Sequence, residues 1–301
     1  MPPPSSTRRR RALLGLVLVA SHASSALASP LAKRDAVDEG GYYNPTSNGG
    51  RWLTYAANSG GTGEPINVVV SGDSDEVVHT ADGFYDWSLS INFGSYLLDS
   101  QGVGSYAGEC LGQTDGERQA ANLGDGLGIR NQTELYRENF QDVTYGVCKE
   151  SAQGGYHYRI WQQVGPEANS SAWFLAASEE ESLSQNHMIV PNGYDLGRDE
   201  VVRRATVAGG TTSPITNRTY EVTAQNASGP GYFANVTTSE INHGIATDGI
   251  VAVLTVRVTS DPVTAKSISA ASRALAAPSA LVLAQGTALA LFTTLALALL
   301  A

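Results

Sequence analysis

The fold is decided in the middle of the chain, by the segment Gly155-Tyr156-His157-Tyr158-Arg159-Ile160-Trp161 and the later segment Ala172-Trp173-Phe174-Leu175-Ala176-Ala177-Ser178. Both are short and rich in aromatic residues, which predicts two strands, over 156–163 and 172–178, joined through Asn169. Because side chains alternate between the faces of a strand, His157 and Arg159 should share one face. Phe174, Ala176 and Ser178 are expected to adjoin them.

Four further elements flank this pair of strands. Residues 66–70 form an apolar, β-branched run that predicts a buried strand. Residues 80–93 favour a helix with Thr80 as its N-cap, although their apolar residues also alternate as in a strand. A second helix is expected from Asp195 to about residue 207, with Asp199 and Glu200 in its first turn. The clearest strand is predicted over 249–258.

The order of these elements predicts an α+β fold. Strand, helix, two strands, helix and strand follow one another, which is the βαββαβ pattern of a ferredoxin-like sheet. We therefore expect a single domain over 65–260, with long irregular loops, preceded by an irregular N-terminal arm over 35–64. The glycine-rich stretch over 122–128 lacks the ligand pattern of a calcium or phosphate loop, so an ordinary turn is expected there.

Both ends of the chain resemble targeting signals. A run of arginines, a short apolar stretch and Ala26-Leu27-Ala28 predict a secretory signal peptide over 1–29. A short pro-segment over 30–34 ends at the dibasic pair Lys33-Arg34, so the mature chain is expected to start near Asp35.

The C-terminus predicts a lipid anchor. A Ser/Ala-rich linker over 261–279 contains the expected attachment region, and an apolar tail over 280–301 follows it. Small residues, a spacer and a terminal apolar tail form a GPI signal. The alternative, a tail-anchored helix, would usually keep charged residues beyond the tail. We therefore expect an extracellular protein at the cell surface or cell wall, bound to the membrane through a lipid.

Five sequons fit this location, and their asparagines are predicted glycosylation sites: Asn131, Asn169, Asn217, Asn226 and Asn235. Processing also makes the chain strongly acidic. Six of the 19 basic residues precede Asp35 and one follows residue 270, whereas all 29 acidic residues remain, which leaves a net charge of −17. Such a surface repels polyanions, so no nucleic-acid partner is expected.

The two cysteines, Cys110 and Cys148, are predicted to form a disulfide, because the compartment is oxidising. Closing that loop would stabilise the fold by about 4 kcal/mol in the chain-entropy model. The alternative is a nucleophilic thiol, but neither cysteine has a histidine beside it in sequence.

The central segments, together with Asn186-His187 and Tyr194-Asp195-Leu196-Gly197-Arg198-Asp199-Glu200-Val201-Val202, resemble the C-terminal domain of LssY-type bacterial membrane proteins. Those domains share a His-x-Arg-x-Trp strand, a Trp-containing second strand, a histidine before a short loop and an Asp-x-x-Arg-Asp helix start. The resemblance covers roughly residues 155–205, and a weaker similarity extends to residues 66–72.

The whole body also resembles a group of secreted fungal proteins that share Gly108-Glu109-Cys110-Leu111-Gly112 and Ile241-Asn242-His243-Gly244. Neither resemblance implies an established activity. The bacterial domain often accompanies a lipid phosphatase module, which this sequence does not contain, so phosphatase activity is not carried over.

The polar residues of the central segments allow two interpretations. In the first, His157, His187 and Asp199 are catalytic acid/base groups or metal ligands, and Arg159 and Arg198 bind an anion. His243 is a further candidate ligand-binding residue. In the second, Arg159–Asp199 and Arg198–Asp195 are structural ion pairs, and the histidines hold loops through hydrogen bonds. Neither interpretation identifies a cofactor or decides whether a metal is bound.

Two functions follow from these interpretations. The favoured one is a surface-anchored protein with a structural or binding role. The alternative is an extracellular hydrolase that acts on a phosphate-bearing or carbohydrate substrate.

Overall fold

The computed structural model describes residues 40–57, 59–96 and 118–262, and all of them belong to one compact unit. The predicted signal peptide, pro-segment and apolar tail lie outside the described residues, as does Cys110. Within the described ranges, no helix is both long enough and apolar enough to cross a membrane.

Ten strands and three α-helices make up this unit. The strands are β1 Val68–Val70, β2 Phe93–Ser95, β3 Ala120–Asn122, β4 Ile129–Asn131, β5 Glu134–Glu138, β6 Gly155–Val164, β7 Asn169–Glu180, β8 Thr211–Thr212, β9 Thr219–Ala227 and β10 Val251–Ser260. The helices are α1 Ala81–Ser90, α2 Gly146–Gln153 and α3 Gly193–Ala205. Five 3-10 helices lie at Pro45–Asn48, Glu76–His79, Leu183–Gln185, Thr238–Glu240 and Asn242–Gly244.

Eight strands form one mixed sheet in the order β2-β5-β6-β7-β1-β10-β9-β8, which curls into a half-barrel, and β3 and β4 form a separate hairpin. The short strand β1 lies near the centre, antiparallel to β7 and parallel to β10. The prediction of an α+β fold with a ferredoxin-like βαββαβ sheet is therefore wrong, because the described chain is mostly β. A sheet of that type is antiparallel throughout, whereas β10 runs parallel to β1, and four additional strands extend the sheet at its two sides.

Most of the predicted elements nevertheless exist. Thr80 caps α1 by accepting a hydrogen bond from the backbone N–H of Gly83, so residues 80–93 are helical at their start, as favoured. The strands β6 and β7 pair antiparallel, with His157 opposite Ser178 and Arg159 opposite Ala176. The helix α3 begins at Gly193, two residues before the predicted start.

One face of the sheet is covered by α1 and α3. Phe84 and Trp87 of α1 and Val201 of α3 pack with Tyr158 and Trp173, and all five side chains are buried. Aromatic residues dominate this layer, and each removes a large apolar area from water. This cluster is the larger part of the hydrophobic core.

The other face is covered by irregular chain. Trp52 of the N-terminal arm packs on Phe174 of β7 with 5.6 Å between ring centroids. Tyr42 and Phe233 join them in a second buried cluster. The N-terminal arm supplies three buried side chains of this cluster, those of Tyr42, Trp52 and Leu53.

Candidate functional site

Three polar side chains lie side by side on the face that the irregular chain covers. Strand register places Arg137 of β5 opposite His157 of β6, and His157 opposite Ser178 of β7. All three side chains are buried. Strand alternation puts them on one face because Tyr136, Tyr158 and Ala177, their neighbours in sequence, belong to the core on the opposite face.

Three more polar residues complete this group. Glu150 comes from α2, Glu180 lies two residues beyond Ser178 on β7, and His187 lies in the loop between β7 and α3. Asn186 and His187 both have positive φ, so the chain turns sharply here. We call Arg137, Glu150, His157, Ser178, Glu180 and His187 the polar cluster.

Arg137 joins the two carboxylates of the polar cluster. Its Nη1 donates to Oε2 of Glu150 at 2.5 Å and also to Oε1 of Glu180. Its guanidinium lies 5.0 Å from the ring centroid of Tyr96. A buried arginine shared by two carboxylates leaves one negative charge uncompensated when both carboxylates are ionised.

Both histidines converge on Glu180. Nδ1 of His157 lies 3.5 Å and Nδ1 of His187 lies 3.7 Å from Oε1 of Glu180. Nε2 of His157 lies 3.1 Å from Oγ of Ser178, within hydrogen-bond distance. Among the described residues, Nδ1 of His157 has no hydrogen-bond partner, although the side chain is only 1 % exposed.

The environment sets the protonation of the polar cluster. Burial lowers the pKa of His157 to about 3, which keeps its imidazole neutral. Burial, together with the nearby charge of Glu180, raises the pKa of Glu150 to about 8. Burial acts to raise the pKa of Glu180 as well, but Arg137 and then His157 hold it at about 2.

The same group contains a set of possible metal ligands. Glu150, His157 and Glu180 each offer one ligand atom, and the three atoms lie within 4.8 Å of one another. Carboxylate oxygen and imidazole nitrogen are both common ligands of zinc.

Of the residues predicted to form a site, His157 and His187 are brought together, whereas Asp199 lies in a different network. Asp199 is 66 % exposed in its side chain and pairs with Arg198 at 2.8 Å. Arg198 also binds Asp248 at 2.5 Å and Asp195 at 3.4 Å. The predicted Arg198–Asp195 ion pair is therefore present, and Arg198 is held by three carboxylates.

Arg159 and His243 belong to neither ion-pair network. Arg159 lies two residues after His157 on β6, on the same face of the sheet. Within the described ranges, its Nε and Nη1 are buried without a hydrogen-bond partner, and no ion pair with Asp199 is found. His243 is exposed, with a φ of 60°, in the 3-10 helix Asn242–Gly244.

The sequence interpretation missed Arg137, Glu150 and Glu180. The sequence analysis drew no candidate from the run Glu179-Glu180-Glu181. Strand alternation could have identified Glu180. It lies two residues after Ser178 and so on the same face of the strand, and Ser178 was expected beside His157.

The predicted modification sites can also be placed. The five sequon asparagines are all exposed. Cys148 lies in α2 and is not a free thiol, but its predicted partner lies outside the described residues, so the pairing stays a prediction.

No protein-family model matches the chain, and no curated protein or solved structure is significantly similar to it.

Proposed function

We propose that this chain is an exported glycoprotein, held at the outer surface of the cell by a C-terminal lipid anchor, with a structural or binding role. The exposure of all five sequon asparagines carries this proposal. A glycan needs an accessible asparagine, and five accessible sequons between a signal-like start and an anchor-like end fit one route through the secretory pathway.

The contacts of the candidate residues support a binding or structural role over a hydrolase. The hydrolase interpretation needs His157, His187 and Asp199 in one site. Asp199 instead belongs to the ion-pair network of Arg198, on the surface of α3. That network links α3 to Asp248, just before β10, which is the kind of contact a scaffold uses.

Treatment of intact cells with a phosphatidylinositol-specific phospholipase tests the anchor. The protein should pass into the medium without its 280–301 tail, and a glycosidase should lower the mass of the released form. A matched control is a chain truncated before residue 280, which should be secreted without phospholipase. Protein that stays in the membrane after digestion and still contains the tail would contradict the lipid anchor.

A further inference from the structure

We propose that the polar cluster is a binding site for a divalent transition-metal ion of the zinc type, with Glu150, His157, Glu180 and His187 as its ligands. This inference goes beyond the surface role proposed above and does not depend on the lipid anchor.

The spacing of the ligand atoms fits such an ion. Zinc ligands lie about 2.0–2.1 Å from the metal, so two corners of a tetrahedron are roughly 3.3 Å apart. The separations from Glu180 Oε1 to the Nδ1 atoms of His157 and His187 are 3.5 and 3.7 Å, close to that edge. Glu150 supplies a further ligand atom within 4.8 Å of those of His157 and Glu180.

Two of these ligand groups contain buried polar atoms that the described chain does not satisfy. They are Nδ1 of His157 and Oε1 of Glu150, and both residues are at most 1 % exposed. Burying a polar atom without a partner costs free energy. A cation between an imidazole nitrogen and a carboxylate oxygen satisfies both at once, because each presents a lone pair.

The surroundings of His157 suit a metal ligand. When Nε2–H donates to Oγ of Ser178, the lone pair is left on Nδ1, on the side of Glu180. A metal-binding histidine normally donates its other N–H to such a polar partner, which fixes the ring and the tautomer.

Charge also favours a cation. When both carboxylates are ionised, they carry two negative charges against the one positive charge of Arg137. Arg137 binds Glu150 through Oε2, which leaves Oε1 for a metal. Arg137 then serves as the outer partner that orients both metal-binding carboxylates. Calcium and magnesium prefer oxygen ligands alone, whereas two imidazoles with two carboxylates suit zinc and its neighbours.

Among the four proposed ligands, His187 is the most accessible to solvent. The side chain of His187 is 22 % exposed, whereas the other three proposed ligands are buried. An ion arriving from solvent therefore meets His187 first. This also makes His187 the residue to alter, because a partly exposed loop side chain adds little to packing.

The test uses the purified glycosylated protein, stripped with a chelator, dialysed and titrated with Zn²⁺. We expect one tightly bound zinc per chain by elemental analysis, a higher melting temperature, and visible absorption typical of tetrahedral coordination when Co²⁺ replaces Zn²⁺. His187→Ala should keep the fold and weaken zinc affinity by at least about 10–100-fold, the range seen for lost supporting contacts.

His243→Ala is the matched control, since His243 is exposed and outside the polar cluster. It should bind zinc as the unaltered chain does. His157→Ala should also lose zinc, and if that variant does not fold, His187→Ala decides alone. The proposal is overturned if the unaltered protein binds no stoichiometric zinc, or if His187→Ala and His243→Ala bind it equally well.

Discussion

Asp86 is a fully buried carboxylate that joins α1 to the chain around β8 and β9. It accepts hydrogen bonds from the hydroxyls of Ser213, Thr216 and Tyr220. Arg218 Nη1 lies 3.5 Å away. Three hydroxyl donors and a nearby guanidinium around one buried carboxylate are typical of a structural group.

Asp86→Ala should therefore destabilise the fold by about 3–5 kcal/mol, because three buried hydroxyls lose their acceptor and the buried Arg218 loses a nearby negative charge. Urea unfolding of the purified protein measures the loss. Asp82→Ala is the matched control on the same helix, where the side chain is exposed and the change should stay within about 1 kcal/mol. Equal stability of the two variants would show that the Asp86 network contributes little.

At the residue scale, the sequence predicted neighbours along strands better than neighbours across a helix. Strand alternation placed His157 and Arg159 on one face, with Ala176 and Ser178 as possible neighbours, and the structure pairs His157 with Ser178 and Arg159 with Ala176. Asp199 was predicted in the same site as His157, but it pairs with Arg198 instead. The sequence does not specify which side of α3 faces the sheet. Successive helical residues differ by about 100° in direction, so Asp199 is exposed although Arg198 beside it is buried.

At the scale of elements, the strands and helices with clear apolar patterns were predicted, and the other strands were not. β5 was missed because its charged residues Glu134 and Arg137 are buried through polar contacts rather than exposed. β9 was missed because most of its side chains are exposed, which removes the apolar alternation. The strand β2 has three residues and β8 has two, which is too short for an apolar pattern to show. The sequence therefore did not predict an eight-stranded sheet.

The helix α3 lies unusually close to β7, and Gly197 is the point of contact. A Cβ at this position would lie 2.4 Å from both Cα and N of Ser178. Backbone atoms cannot move aside as a flexible side chain can. The glycine thus sets the distance between α3 and the strand that contains Ser178 and Glu180.

Gly197→Ala should destabilise the protein by about 1–3 kcal/mol, the usual cost of overpacking. A loss of stability would be informative, because the same change from glycine to alanine stabilises an isolated helix by about 1 kcal/mol. Leu196→Ala, at the exposed position beside it, should change stability by less than about 0.5 kcal/mol. Thermal unfolding compares the two, and a Gly197→Ala protein as stable as the parent would show that α3 can shift without cost.

At the scale of the whole molecule, irregular chain covers the face of the sheet opposite the layer that contains α1 and α3. The segment around Tyr42 and Trp52 covers one face of the sheet. Isolated bridges hold the arm, among them one from Tyr55 to Ala120 of β3. Such a segment has no period of 2 or 3.6 residues, so its burial could not be predicted from a repeating pattern. Its aromatic residues were the available signal.

The sheet has one long edge that the described chain leaves open. β9 pairs with β10 along its whole length, whereas β8 pairs with it only at Thr219 and Tyr220. On the outer side of residues 221–227, the described ranges provide no further strand. An exposed edge can pair with the edge of another molecule, and proteins usually block it. Asn226, a predicted glycosylation site, lies on this edge and is exposed.

We therefore expect the glycan on Asn226 to keep the molecules apart. Asn226→Gln removes the glycan and leaves the strand intact, so the variant should form dimers or larger species by edge pairing as its concentration rises. Light scattering during size-exclusion chromatography gives the mass of each species. Asn131→Gln, which removes a glycan from the separate β3–β4 hairpin, should stay at the mass of the parent chain. If both variants remain monomeric over the same range, the edge is protected by something other than the sugar, and the twist of β9 or the charge of Glu221 becomes the better explanation.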